Sequence, residues 1–214
     1  MKGDIIIVEE HHRAAAHEIV DAIMERISDS PRPVTICVSG ESGSGKSETG
    51  TAIAEELESR GLHAFLFHQD DYFILPPKSN DAKRRKDISW VGPQEVRLDL
   101  LDSHLSQGRA RAAIITKPLI DYETDSVEEE AVPITGVQVF IAEGTYTSLL
   151  NELDLRVFIN RNRLETMESR RRRGREKIEP FIEEVLEIEH RIIAPHKDRA
   201  DIVLDRDYKV EFRP

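Results

Sequence analysis

The chain has 214 residues, of which 39% are hydrophobic and 33% charged, and a formal net charge of -11. This suits one ordinary domain with enough apolar material for a core; no stretch approaches the roughly 18 apolar residues of a membrane span, and the acidic balance disfavours nucleic acid as the main partner. Cys37 is the single cysteine, which excludes an internal disulfide or a thiolate metal cage and points to a reducing, cytoplasmic compartment, and Met1–Asp4 does not open a secretory signal.

Ile5–Val8 reads as a short strand, and Ile19, Val20, Ile23, Met24 and Ile27 recur at helical spacing over about 14–28. Residues 1–30 thus form a strand/helix extension ahead of the main body over 31–214, a single domain overall. Val34–Val38 is β-branched and apolar, as a strand covered on both faces should be. A Gly/Ser turn follows, then a helix over 46–60 that stops at Gly61. Ala64–Phe67 is the next buried strand. Residues 76–89, rich in Pro, Lys, Arg and Asp, read as an exposed loop. Pro93 opens a helix to about Gln107, with Val96, Leu100, Leu101 and Leu105 inward. Ala112–Thr116, Val137–Ala142 and Leu155–Ile159 are strands, and Val127–Ile134 is a weak edge hairpin. Phe181, Ile182, Val185, Leu186 and Ile193 mark a late helix, and Asp201–Leu204 a last strand. Strands alternating with helices predict an α/β fold with a mostly parallel sheet.

Gly40-Glu41-Ser42-Gly43-Ser44-Gly45-Lys46-Ser47 satisfies G-x-x-x-x-G-K-[ST] between a buried strand and a helix. Glycines let successive backbone N–H groups turn inward around a phosphate. Lys46 reaches the β- and γ-phosphates, the Ser47 hydroxyl ligates Mg²⁺, and the helix offers its positive end to the same anion. Gly40, Ser42, Gly43, Ser44, Gly45, Lys46, Ser47 and Glu48 are therefore the expected nucleotide contacts. The chain lacks the N-K-x-D and D-x-x-G segments of a GTPase switch and the signature of a cassette transport ATPase, which leaves a kinase acting on a bound acceptor. Gln69-Asp70-Asp71-Tyr72-Phe73 adds two carboxylates at a strand's carboxyl end, where such a kinase needs a group to orient or deprotonate a hydroxyl. From Arg161 to Lys177, eight Lys and Arg face three Glu, a basic island suited to a local anion or to a solvated helix face.

In their order and spacing, the P-loop, Gln69–Phe73, Lys117-Pro118 with Asp121-Tyr122, Glu143-Gly144, Arg173-Gly174-Arg175 and Pro195-His196-Lys197 with Ala200-Asp201 resemble the uridine kinase and phosphoribulokinase family of P-loop kinases. The resemblance implies a P-loop NTPase fold with an Arg-rich lid, ATP and Mg²⁺ as cofactors, and a small-molecule hydroxyl acceptor. It implies Asp70 as catalytic base, Lys46, Arg173 and Arg175 on the phosphates, and Ser47, Glu143 and Asp70 about the metal. Asp71, Tyr72, Trp90 and Tyr122 are the substrate candidates, with Tyr72 and Trp90 either lining the acceptor pocket or packing the core. Uridine kinases carry an Asp-His-Pro segment for the ribose, where this chain has Val91-Gly92-Pro93. Ile120 and Asp125 likewise replace the Tyr and His used at the pyrimidine, so uridine and cytidine are expected to be poor acceptors. The alternatives are a kinase for a sugar, sugar phosphate or pantothenate-like acceptor, or a nucleotide-binding regulator without catalysis; a homo-oligomer is compatible with either. His11, His12 and His17 lack acidic or cysteine partners at a recognisable metal spacing and read as a solvated helix start.

Overall fold

Seven consecutive buried residues make Val34–Gly40 the central strand, β1. The computed structural model describes residues 6–167 and 179–213. Helix α1 (Glu10–Asp29) precedes β1, and α2 (Lys46–Ser59) follows the P-loop. The chain continues through β2 (Ala64–His68), α3 (Pro77–Lys86), α4 (Leu98–Arg109), β3 (Ile114–Asp121), β4 (Ser126–Pro133), β5 (Val139–Gly144) and β6 (Leu155–Ile159). It ends with α5 (Pro180–Ile193), β7 (Ile202–Leu204) and β8 (Val210–Phe212). The main sheet has the order β2-β5-β1-β6-β7-β8, parallel except for β8. Strands β3 and β4 pair antiparallel in a sheet of their own.

Alternate residues of the buried strands feed two cores. Ile36, Val38, Ile141, Val157 and Ile159 pack with Ile19 and Val20 of α1 and with Ile53 and Leu57 of α2. On the opposite face Phe140, Phe158 and Val203 meet Leu101 and Leu105 of α4, Ile115 of β3 and Ile193 of α5. The result is the expected α/β architecture, a mostly parallel sheet flanked by helices. Ile19, Val20 and Ile23 are nearly or wholly buried, each worth about 1.5–3 kcal/mol by area burial, so α1 is bound to the sheet through its apolar stripe. Cys37 is fully buried in β1, and desolvation pushes its thiol up to about 12, which disfavours a reactive thiolate.

Four elements differ from the sequence reading. Residues 6–8 form no strand, Ile7 is exposed, and α1 begins at Glu10, several residues early. The cause is a reciprocal cap, in which Glu9 accepts from the His12 backbone and His12 Nδ1 accepts from the Glu9 N–H at 3.0 Å. Residues 76–89 are not a loop: they hold α3 and a short 3₁₀ turn, Ile88–Trp90. Only Asn80 of α3 is buried, so no apolar period announces the helix. The helix expected from Pro93 is instead a 3₁₀ turn, Pro93–Glu95, followed by α4 from Leu98. Asp201–Leu204 is not the last strand, because β8 adds an antiparallel edge beyond it.

Candidate active site

The P-loop turn closes through Gly45, which caps α2 with a left-handed φ of 94°. A Cβ there would lie 2.0 Å from Tyr208 Oη and 3.0 Å from His12 Nε2, so only glycine fits. Tyr208 Oη donates to the Ser44 carbonyl at 2.6 Å, and Arg161 donates to the same phenol oxygen at 3.1 Å. His12 is therefore buried against Tyr208 and not solvated, and burial, His11 and Arg161 hold it down at about 4. Glu9, His11 and His12 do gather their ligand atoms within 4.8 Å of one another, although Glu9 and His12 already serve the helix cap. Lys46 is buried and donates to the Glu41 carbonyl at 2.9 Å. Ser44 Oγ is buried without a hydrogen-bond partner among the described residues. A hydroxyl orphaned inside a turn at a helix N-terminus fits an anion seated there.

Strand register brings the carboxylates to this turn. Glu143 pairs with Val38 of β1 and His68 of β2, at the carboxyl edge of the parallel sheet. Gly144 follows because a Cβ there would meet the Gln69 Cβ at 2.2 Å. Asp70 lies in the 3₁₀ turn Gln69–Tyr72. Desolvation, then the Glu143 charge, raises the Asp70 carboxyl above its ordinary value, while Lys46 and His68 pull it back. Desolvation would also raise Glu143, but His68, through a 2.8 Å hydrogen bond and its charge, brings Glu143 below the usual range with help from Lys46 and Ser47. The charged form of Glu143 is thereby favoured, whereas Asp70 has a raised proton affinity.

Ser42, Lys46, Ser47, Asp70, Glu143 and Thr145 line one side of a cavity of about 890 Å³. Gly40, Gly43, Ser44 and Gly45 build the turn itself, and Glu48 is half-buried in the first turn of α2. Across the cavity, α3 contributes Asn80, Asp81, Arg84 and Arg85, and α5 contributes Ile182 and Glu189. Of the four substrate candidates only Tyr122 lines this space. Asp71 turns away, accepting from Lys117 Nζ at 3.2 Å and from the Ile120 N–H at 3.1 Å. Tyr72 is fully buried with its hydroxyl on His104 at 2.8 Å. Trp90 donates to Asn80 Oδ1 at 2.9 Å and carries Lys83 over its ring. Arg173 and Arg175, with the lid expected around them, lie outside the described residues.

Asp125 has a different task from reading a base. It accepts from the Lys78 and Ser79 amides at 2.7 and 3.1 Å and from Ser79 Oγ at 2.7 Å, capping α3 from the hairpin turn. His68, Tyr208, Arg84 and Glu189 were missed as site residues. No short motif contains them; each reaches the site through tertiary contact.

A P-loop opening with two strand-edge carboxylates onto one cavity defines a P-loop kinase, a phosphotransferase with an alcohol acceptor. The chain belongs to the phosphoribulokinase/uridine kinase family, whose model matches residues 35–212. It is 28% identical over 191 residues to the bifunctional alpha-galactosidase/sucrose kinase AgaSK of Mediterraneibacter gnavus, covering 83% of this chain and 20% of that protein. It is 28% identical over 185 residues to the uridine kinase of Bacillus cytotoxicus, covering 81% of this chain and 85% of the relative. A solved structure from Bacillus stearothermophilus, described as a possible uridine kinase, superposes with a TM-score of 0.65 at 18% identity, over 89% of this chain and 97% of that one. No described helix is long and apolar enough to cross a membrane.

Proposed function

We propose that the chain transfers the γ-phosphoryl of ATP, with Mg²⁺, to a hydroxyl of a small molecule, and that Asp70 takes the hydroxyl proton. The observation that carries this reading is the convergence of Lys46, Ser47, Asp70 and Glu143 on one cavity. Lys46 lies buried at the base of the turn, ready to exchange its Glu41 carbonyl contact for phosphate oxygens. Ser47 and Glu143 would hold Mg²⁺, which when bound neutralises charge on the phosphates. Asp70, with its raised proton affinity, orients the acceptor hydroxyl and receives its proton as the O–P bond forms. Arg173 and Arg175 complete this reading as the phosphate-covering arginines.

A pyrimidine nucleoside is a poor fit to the acceptor half. Val91 is buried away from the cavity, Ile120 presents an apolar wall and Asp125 is committed to α3. A coupled ADP-release assay tests the reading. Asp70→Asn should abolish transfer to the acceptor while ATP affinity stays within a few-fold, since the cradle is untouched. Transfer at the parental rate would overturn the role of Asp70. A kcat/KM for uridine near 10⁵ M⁻¹s⁻¹, an ordinary enzyme value, would overturn the exclusion of nucleosides.

A further inference from the structure

The acceptor half of the cavity is furnished with arginines that are already ion-paired. Arg84 turns its Nε and Nη2 onto Glu95 at 2.5 and 2.9 Å, and Nη2 also reaches Glu189 at 3.1 Å. Glu95 is fully buried and accepts further from Asn80 Nδ2 at 2.6 Å and the Gly92 N–H at 2.7 Å. Arg85 is held between Asp81 and Glu179. Lys78 donates to the Glu123 carbonyl at 2.9 Å. The side chains around this half thus include Asp81, Glu179 and Glu189 against arginines that each serve two carboxylates.

A phosphorylated or carboxylated acceptor entering here would meet those carboxylates, and drawing Arg84 toward itself would strip Glu95 of its partner in a fully buried position. A nucleobase needs amide donors and acceptors. Asn80 is the only amide side chain among the described lining residues, and both its ends already hydrogen-bond, to Glu95 and Trp90. Neutral hydroxyls face neither obstacle. Each can donate to a carboxylate, which has about four lone-pair sites, and can accept from a guanidinium without displacing its ion pair. Phe73, Tyr122, Ile182 and Val185 supply the apolar wall against which the C–H face of a ring or chain can lie.

We propose that the acceptor is an uncharged polyhydroxylated molecule, a sugar or sugar alcohol, whose hydroxyls are read by Asp81, Arg84 and Glu189. This rests on the phosphotransfer reading given above. Paired carboxylates and an arginine on two facing helices select for hydroxyl number and position, while the same pairing repels anionic acceptors.

The test is ADP release from the full chain with MgATP against four panels: unphosphorylated pentoses, hexoses, disaccharides and alditols; sugar phosphates; hydroxy acids; and nucleosides. The best acceptor should come from the first panel, with a kcat/KM at least 100-fold above any member of the others. Glu189→Gln and Asp81→Asn, assayed well below their melting transitions, should each raise KM for that acceptor tenfold or more while leaving KM for ATP within twofold. A best acceptor that is a sugar phosphate, a hydroxy acid or a nucleoside overturns the proposal, as does an unchanged acceptor KM in both variants. If MgATP binds but no panel is phosphorylated above the Lys46→Ala background, the phosphotransfer reading itself fails and this proposal with it, a result distinct from transfer to an anionic acceptor.

Discussion

Asp70 and Asp71 are adjacent and chemically identical, yet the fold gives them opposite surroundings, so neutralising each should have crossed consequences. Asp71 is 1% exposed and faces Lys117, whose side chain is 8% exposed. Removing one partner of a buried ion pair costs about 3–5 kcal/mol. Lys117 keeps Glu130 at 2.6 Å, and an asparagine oxygen can still accept from the Ile120 N–H, so Asp71→Asn should cost about 2–3 kcal/mol. At roughly 2–4 °C per kcal/mol for a chain of this size, the melting temperature should fall by about 5–10 °C. Asp70 differs in sign. Its carboxyl is raised by desolvation and by Glu143, so at neutral pH its ionised form opposes folding, and Asp70→Asn should melt no lower than the parent. Its loss should appear in phosphoryl transfer, by roughly 10²–10⁴. Thermal melts and ADP-release assays on both variants, run well below either transition, check this. An Asp71→Asn protein that melts like the parent but is inactive, beside an early-melting Asp70→Asn protein, would refute the assignment of the two carboxylates.

Three further outcomes follow from the same geometry. Lys46→Ala should lower phosphoryl transfer by roughly 10²–10³, about 2–4 kcal/mol of transition-state stabilisation, with an unchanged melting curve; a parental rate would remove the P-loop from the reaction. Gly45→Ala forces a Cβ into Tyr208 Oη and a left-handed backbone worth about 1–2 kcal/mol of strain, so nucleotide affinity should fall at least tenfold by titration calorimetry, and Tyr208→Phe in that background should recover part of it. Asp154 accepts from Arg32, the Thr35 N–H and Thr35 Oγ1; burial opposes the charge, but these partners hold its carboxyl at about 2, below the ordinary 3.8. Because the folded value is depressed, its stabilisation is present above about pH 4 and is lost as the pH falls toward 2. Asp154→Asn should therefore cost about 1–2 kcal/mol at pH 7, discounted for the half-exposed Arg32, and the gap from the parent should close across that acid window in denaturant titrations.

What was legible in the sequence was local. The run Val34–Val38 marks a strand buried on both faces, the glycines and Lys46 mark a phosphate turn, and Gly61 marks the end of α2, because each property depends on neighbours within a few residues. The order and spacing of the P-loop, Gln69–Phe73, Lys117-Pro118, Glu143-Gly144 and the motifs that follow were enough to indicate the family. What only the tertiary structure decided lies in partners brought from far along the chain. Helix α3 has no cap of its own at Pro76 and almost no apolar face; Asp125, 46 and 47 residues from the amides it caps, and Glu95 and Glu189, 11 and 105 residues from Arg84, hold it in place. Tyr208 seals the P-loop across a separation of 164 residues. Asp71 is drawn from the cavity by Lys117, 46 residues on, while Asp70 faces into it. Periodicity and turn chemistry report backbone preference and local burial, whereas the charge state and task of these groups are set by which distant side chains the folded topology places against them.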